Sequence, residues 1–298
     1  MRTVVKWIAI IFGGLIGLLL LAAVFVTISS SSRVNKSYDI PSSAVVVHNN
    51  DEVLARGQHL VEISCAGCHG ADLSGKTVID DPPIASIYAS NLTAGAGGIG
   101  QSYADEDWVR AIRHGVRPDS TPLLVMPSQI YYYYSDEDIA AIIAYAKSVA
   151  PVDNRLPDRG IGPVGRALFT AGMLPAPAAE LIDHNGPRPQ APEPSVTAAY
   201  GEYIAGRGCA DCHGADYAGG AVPGSPPGAP PAPNLTPAGD LATWSEEDFI
   251  STIRSGFTPA GRQLDRDEMP WPTYGKMTDE ELQAIWLFLQ ELPPAQSE

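Results

Sequence analysis

The pentapeptide Cys65-Ala66-Gly67-Cys68-His69 returns later in the chain as Cys209-Ala210-Asp211-Cys212-His213. The two copies use all four cysteines, and each runs on into Gly-Ala-Asp (Gly70-Ala71-Asp72 and Gly214-Ala215-Asp216). Cys-x-x-Cys-His is the attachment pattern of a c-type haem, in which both thiols form thioethers to the porphyrin and the histidine ligates iron. Positions three and four apart share a helix face, so one short helix can present both sulfurs and the imidazole to a single haem. A zinc knuckle or a pair of disulfides also uses Cys-x-x-Cys, but neither requires the histidine that follows each motif here. Two haem c groups are therefore expected, attached through Cys65, Cys68, Cys209 and Cys212, with His69 and His213 on the irons.

A length of 298 residues suits about two domains, and the duplication agrees. With 27 prolines and 29 glycines, the chain should be rich in loops. Its formal charge of −15 argues against nucleic acid and acidic headgroups as partners. That acidity either meets a basic docking patch on a partner or only maintains solubility, and composition does not choose between them. Once haem takes every thiol, none remains for a disulfide, for copper, or for a lipid anchor after the apolar N-terminal segment.

Trp7 to Ile28 is an uncharged apolar run, long enough for the roughly 20 residues of one bilayer crossing. A cleaved signal peptide usually has a shorter apolar core, about 7–15 residues, with a small-residue cleavage site. The length favours an uncut anchor. Arg2 and Lys6 precede the run and Arg33 and Lys36 follow it, so the distribution of basic residues orients it only weakly.

The expected division is an anchor over 1–32, a tether over 33–50, a first domain over 51–150, a proline-rich linker over 151–196 and a second domain over 197–298. Helix is expected from Glu52 into the first motif, over Asp105 to Gly115, and over Asp136 to Val149. In the last of these Ile139, Ile142, Ile143, Ala146 and Val149 form one buried stripe, and Ser135 is a natural N-cap ahead of three acids. Nine prolines between Pro151 and Pro194 suit a stiff linker, although Val164 to Met173 is apolar enough to pack on a domain. The second half repeats the first. Gly57 corresponds to Gly201, Asn91-Leu92-Thr93 to Asn234-Leu235-Thr236, Arg113 to Arg254 and Met126-Pro127 to Met269-Pro270. Ser135-Asp136-Glu137 corresponds to Thr278-Asp279-Glu280, and the helical stripe returns as Leu282, Ile285, Trp286, Leu289 and Leu292.

The sixth iron ligand decides between electron transfer and catalysis. Met126 and Met269 hold equivalent places, each in Met-Pro between helical segments, and a thioether suits ferrous iron. They are the expected ligands. Met277 aligns with Tyr134 and is expected to pack, and Met173 has no counterpart. His59 and His114 fall outside the repeated pattern and suit surface or haem-edge contacts, while His48 and His184 are expected in solvent. Arg113 and Arg254 suit either a haem propionate or an ordinary surface role. Asn91 and Asn234 suit a propionate or a turn. Trp108 and Phe249 read as core. The run Tyr131 to Tyr134 finds no match in the second half and suits a haem edge, a docking patch or loop packing.

These residues resemble class I cytochrome c domains, over roughly 51–150 and 197–292. The resemblance implies a mainly α fold of two such domains in tandem behind one transmembrane helix. It also implies that Tyr145 and Phe288 pack near the N-terminal glycines. Pro82-Pro83 and Pro226-Pro227 look like the family's proline, whose carbonyl accepts the proximal imidazole N–H. In that family haem is attached outside the bacterial cytoplasmic membrane, so both domains are expected on the periplasmic side. The Asn-Leu-Thr, Gly97-Gly98-Ile99-Gly100 and Asp-Glu-Asp-Trp segments are similar to cytochrome subunits of membrane-bound alcohol and related dehydrogenases. Those subunits commonly carry three haems, whereas this chain has two motifs.

The expectation is an anchored electron carrier, not itself an enzyme, within a respiratory or dehydrogenase complex. Its donor would be a dehydrogenase or quinol-oxidising complex and its acceptor a cytochrome or oxidase. The alternative is a dihaem enzyme, peroxidase-like or thiosulfate-oxidising, with one open iron. Two Met-Pro loops and the absence of a spare cysteine argue against it.

Overall fold

A computed structural model describes residues 2–41, 45–225 and 228–296. It is mainly helical. Helix α1 (Arg2–Val34) has 33 residues, a mean hydropathy of 2.8 over its most apolar window, and no cover from the rest of the chain there. By length and composition it can cross a membrane.

The first half is built on α2 (Asp51–Ser64), α3 (Ala66–His69), α4 (Asp105–His114), α5 (Ser128–Tyr131) and α6 (Asp136–Ser148). As expected, the Ser135 hydroxyl caps α6 by accepting from the Asp138 N–H, and Ile139, Ile142, Ile143 and Ala146 are buried. Helices α2 and α6 cross at Gly57, where a Cβ would stand 2.0 Å from the Ala141 carbonyl oxygen. Only glycine lets the backbones approach that closely. The Tyr145 side chain covers the same glycine, as the resemblance implied.

Between α3 and α4 lies an antiparallel hairpin that the helical pattern did not reveal, β1 (Lys76–Asp81) and β2 (Ala85–Ala89), with a bulge between Thr77 and Ile79. Its third strand, β3 (Gly160–Ile161), comes from the proline-rich stretch. That stretch is therefore no free spacer. It connects the halves while lying against the first, through β3, α7 (Pro163–Thr170) and a 3-10 turn at Ala178–Glu180. Proline removes donors but leaves carbonyls, and the Asn91 amide donates to the Val152 carbonyl there at 2.8 Å. The tether also touches the fold. Tyr38 is buried, and its N–H donates to the Ser120 carbonyl at 3.0 Å. Ser42 to Ala44 of the tether lie outside the described residues.

The second half repeats the arrangement in α8 (Ala198–Ala205), α9 (Ala210–His213), α10 (Glu246–Ser255), α11 (Trp271–Tyr274) and α12 (Asp279–Glu291). At its crossing of α8 and α12 a Cβ on Gly201 would lie 1.9 Å from the Ala284 carbonyl. Phe288 meets the Tyr217 ring edge-on.

The two halves share one continuous core, and the polar contacts across it pair equivalent positions. His59 reaches Glu281 at 2.7 Å, and its counterpart Tyr203 reaches Asp138, the counterpart of Glu281, at 2.6 Å. Arg56 and its own counterpart Tyr200 meet at 3.3 Å. Such reciprocity marks an approximate twofold relation between the halves. It also places His59 at the seam rather than at an open surface or a haem edge.

Candidate haem sites

Each Cys-x-x-Cys-His motif forms the end of one helix and the whole of a second, short one. The Cys65 N–H closes α2 on the Val61 carbonyl, and the Cys65 carbonyl accepts from His69 at 2.9 Å. The turn ends at Gly70, and in the second half at Gly214, with φ of 86° and 82°. This is backbone that glycine adopts readily. The imidazoles are then fixed alike, for His69 Nδ1 donates to the Ser90 carbonyl and His213 Nδ1 to the Pro233 carbonyl, both at 2.8 Å. A carbonyl only accepts, so Nδ1 carries the hydrogen and Nε2 keeps a free lone pair.

This corrects the expected acceptors. The Pro83 carbonyl accepts from Val164 instead, and Pro226-Pro227 lie outside the described residues. Ser90 and Pro233 hold equivalent places just before Asn91 and Asn234. In each half the asparagine oxygen accepts from the threonine two residues on, through both its N–H and its hydroxyl. Those asparagines fix the turn that aims the acceptor carbonyl.

Burial lowers the pKa of both imidazoles, and the carbonyl bonds only partly offset it. The neutral ring, which is the metal-binding form, is favoured. Burial, aided by the neighbouring cysteine, pushes the Cys65 and Cys209 thiols up to about 12. A zinc or redox pair needs the opposite shift.

In the first half Cys65, Cys68, His69 and Met126 line one cleft of about 400 Å³. Its wall suits the cofactor. The Trp108 ring lines it, and its buried Nε1–H has no acceptor among the described residues. Arg117 and Arg159 also line it, and both guanidiniums donate to the Pro122 carbonyl. Burial and the nearby Arg159 lower Arg117 to about 10, only partly offset by Tyr103 and Asp119. An apolar cleft with two neighbouring cations and an orphan N–H fits a flat macrocycle with carboxylate arms. Trp108 is thus both core and cleft wall.

The methionines emerge from matching loops. Pro127 starts α5 just after Met126, and Pro270 starts α11 just after Met269. Both methionines are partly buried against the core. Met277 is buried as packing, and Met173 is exposed. The tyrosine run does have a partial match. Tyr131 and Tyr274 each stand five places after the methionine, and each donates to the carbonyl just before the first motif cysteine. The acceptors are Ser64 at 2.8 Å and Gly208 at 3.0 Å. The spacing Met-Pro-x-x-x-Tyr was the available signal.

Two further residues, Arg113 and His184, stand apart from their expected places. Arg113, only 2% exposed, pairs with Asp136 at 2.7 Å and donates to the Tyr134 carbonyl. Arg254 repeats this with Asp279 and the Gly275 carbonyl. Both clamp the start of the C-terminal helix, Arg113 as a buried side chain and Arg254 as an exposed one, the surface role expected of it. His184 is not in solvent. Its Nε2 donates to the Ala179 carbonyl at 3.1 Å, and its Nδ1 lies 3.1 Å from His114 Nδ1. His48 is exposed, as expected.

Residues 52–145 match the family profile described as cytochrome c oxidase, cbb3-type, subunit III, and residues 198–293 match the profile described as cytochrome c. Both halves are cytochrome c domains. Such domains hold haem c covalently, in keeping with the paired motifs. Among curated proteins the chain is similar to the cytochrome c subunit of a quinone alcohol dehydrogenase from Gluconobacter oxydans, with 31% identity over 244 residues, 70% of this chain and 48% of that protein. It is also similar to the fructose dehydrogenase cytochrome subunit of Gluconobacter japonicus, with 27% identity over 271 residues, 80% of this chain and 52% of that protein. The gluconate 2-dehydrogenase cytochrome c subunit of Pantoea cypripedii is 31% identical over 241 residues, 70% of this chain and 52% of that protein. The chain spans about half the length of these relatives.

Proposed function

We propose that this chain is a membrane-anchored electron-transfer subunit with one haem c in each cytochrome c domain. It would serve a membrane-bound dehydrogenase or related respiratory complex. Cys65, Cys68, Cys209 and Cys212 are the attachment points, and His69 with Met126 and His213 with Met269 are the axial ligands. The observation that carries the reading is the matched pair of imidazoles, each held by a backbone carbonyl so that Nε2 is presented in the same tautomer.

When bound, the haems supply one-electron redox chemistry at iron. The chain's own residues do the rest. His69 with Met126, and His213 with Met269, would hold the two irons, a ligand pair that raises the potential and would leave no place for substrate. Arg117, Arg159 and the Trp108 N–H are the donors for carboxylate arms in the first domain. The seam holds the two domains in one arrangement, with Gln129 of α5 donating to Asp211 in the second motif at 3.0 Å. Helix α1 is the membrane span, and both domains stand on the outer side of the bacterial cytoplasmic membrane. A dehydrogenase or quinol-oxidising complex is the proposed donor and a cytochrome or oxidase the proposed acceptor.

The deciding experiment is carbon monoxide binding to the purified, reduced holoprotein, followed in the visible spectrum. No reaction at either haem is expected, because both irons are closed. Reaction at one haem would remove one methionine from the ligand set and favour a dihaem enzyme.

A further inference from the structure

We propose that the elbow formed by α7 and the 3-10 turn after it lies in the interfacial layer of the bilayer that α1 crosses. This rests on reading α1 as a membrane span. Five contacts set the height of the elbow. The Thr170 hydroxyl approaches the Val26 carbonyl at 3.5 Å. Arg166 donates to the Ser30 and Ser31 hydroxyls at 3.0 and 2.9 Å. Arg33 pairs with Glu180 at 2.8 Å and lies 4.4 Å from the centre of the Phe169 ring. Val26 belongs to the apolar run that ends at Ile28. At 1.5 Å of rise per residue, its level is about 3 Å inside the end of that run. The C-terminal end of α7 therefore stands where hydrocarbon gives way to headgroups.

The elbow is held there by the domain. The Gly162 N–H donates to the Ile84 carbonyl at 2.9 Å, and a Cβ on Gly165 would stand 1.9 Å from the same oxygen. With one side pinned on the hairpin, the other has a fixed outlook. Val164 and Met173, at the two ends of the α7 segment, are 47 and 66% exposed, apolar side chains that water does not favour.

Charge gives the second, independent argument. Although the chain carries 34 acidic residues, none lies between Arg159 and Ala179. The first acid after that stretch, Glu180, is paired with Arg33. An uncharged-to-basic, apolar surface continuous with a membrane helix suits lipid, not a basic protein partner. The short helix needs no anchoring strength of its own. Its effect is to fix how the first cytochrome c domain sits on the membrane.

The test uses the full-length holoprotein in phosphatidylcholine vesicles, with a spin label placed singly at Met173→Cys or Val164→Cys. Leu21→Cys in α1 and Glu247→Cys on exposed α10 serve as references, and an unchanged haem spectrum confirms folding. Collision with oxygen relative to a water-soluble nickel chelate is expected to be several-fold higher at 173 than at 247, approaching the value at 21, and intermediate at 164, which stands farther from the hydrocarbon than Arg166. If 164 and 173 match 247 while 21 remains lipid-exposed, the elbow proposal is overturned and the span stands. If 21 also matches 247, the span reading fails and the elbow proposal falls with it.

Discussion

His59 Nε2 lies 2.7 Å from the Glu281 carboxylate across the seam between the two cytochrome c domains. Glu281 at the same time caps its own helix by accepting from the Thr278 N–H at 2.9 Å. One buried carboxylate thus ties a helix end to the neighbouring domain. On the reciprocal side Tyr203 donates to Asp138, which also holds Arg56 through both oxygens.

Glu281→Gln should uncouple the domains. A neutral amide can still accept from the Thr278 N–H but no longer offers a charge to Arg56 and His59, a loss of about 3 kcal/mol by the usual size of a broken buried pair. Tyr203→Phe should cost about 2 kcal/mol, because Arg56 still satisfies Asp138 but the buried Ser135 N–H, which donates to the Tyr203 hydroxyl at 3.0 Å, loses its acceptor. Calorimetry checks both. The single unfolding transition of the parent should divide into two for Glu281→Gln and stay single for Tyr203→Phe.

Acid should weaken the fold in two separate windows. Burial and the nearby His184, Arg113, Arg188 and Arg110 lower His114 to about 4. Its neutral form donates to His184, so this contact stabilises the fold above the ordinary histidine value and is lost as pH falls from about 6.5 toward 4. Burial alone would raise Glu281, but the His59 bond and charge, the Thr278 N–H and Arg56 outweigh it and set it below its ordinary value. Its stabilisation is present above the ordinary glutamate range and disappears as pH falls below about 4.3. Denaturant midpoints measured against pH should show the upper window shrink in His114→Phe, with His184 still contributing, and the lower window shrink in Glu281→Gln, with Asp119 and Asp136 still contributing.

Met126→Ala and Met269→Ala should each keep covalent haem yet open one iron. Each variant should gain one carbon monoxide site and lose the higher potential that thioether ligation supports. An unchanged spectrum and potential in either variant would remove that methionine from the ligand set.

Arg117→Gln should lower the potential of the first haem by roughly tens of millivolts, since a one-electron couple moves 59 mV for each tenfold change in its equilibrium. Removing a cation beside the site favours the more positive, oxidised iron. Potentiometric titration checks the direction, and the second haem should not move.

Gly57→Ala should destabilise the first domain by about 3 kcal/mol or more, the upper range for overpacking. Its new methyl would meet the Ala141 carbonyl, which belongs to a helix and cannot step aside. Thermal unfolding followed by circular dichroism measures the loss.

Much of this was legible in the residues. The two motifs, the duplicated Met-Pro loops and the helical stripes are local patterns, and local patterns survive without tertiary information. The misplaced readings all concern partners. Arg113 looked able to reach a propionate because guanidinium chemistry is visible, whereas the nearness of Asp136 to α4 is not. His184 looked solvated because it sits among prolines, yet the stretch folds back and brings it to His114. The carbonyl that accepts from His69 belongs to Ser90, since any residue can supply a carbonyl and none advertises it.

By itself, then, the sequence determined the two haem-attachment motifs, the duplication and the apolar helix long enough to cross a membrane, for each depends on residue types at fixed short spacings. Tertiary structure alone decided the seam of Arg56, His59, Asp138, Tyr203 and Glu281, the cleft wall of Arg117 and Arg159, and the elbow against α1. Those depend on which distant residues meet when two glycine-mediated helix crossings bury their faces, and that packing leaves no local periodicity to read.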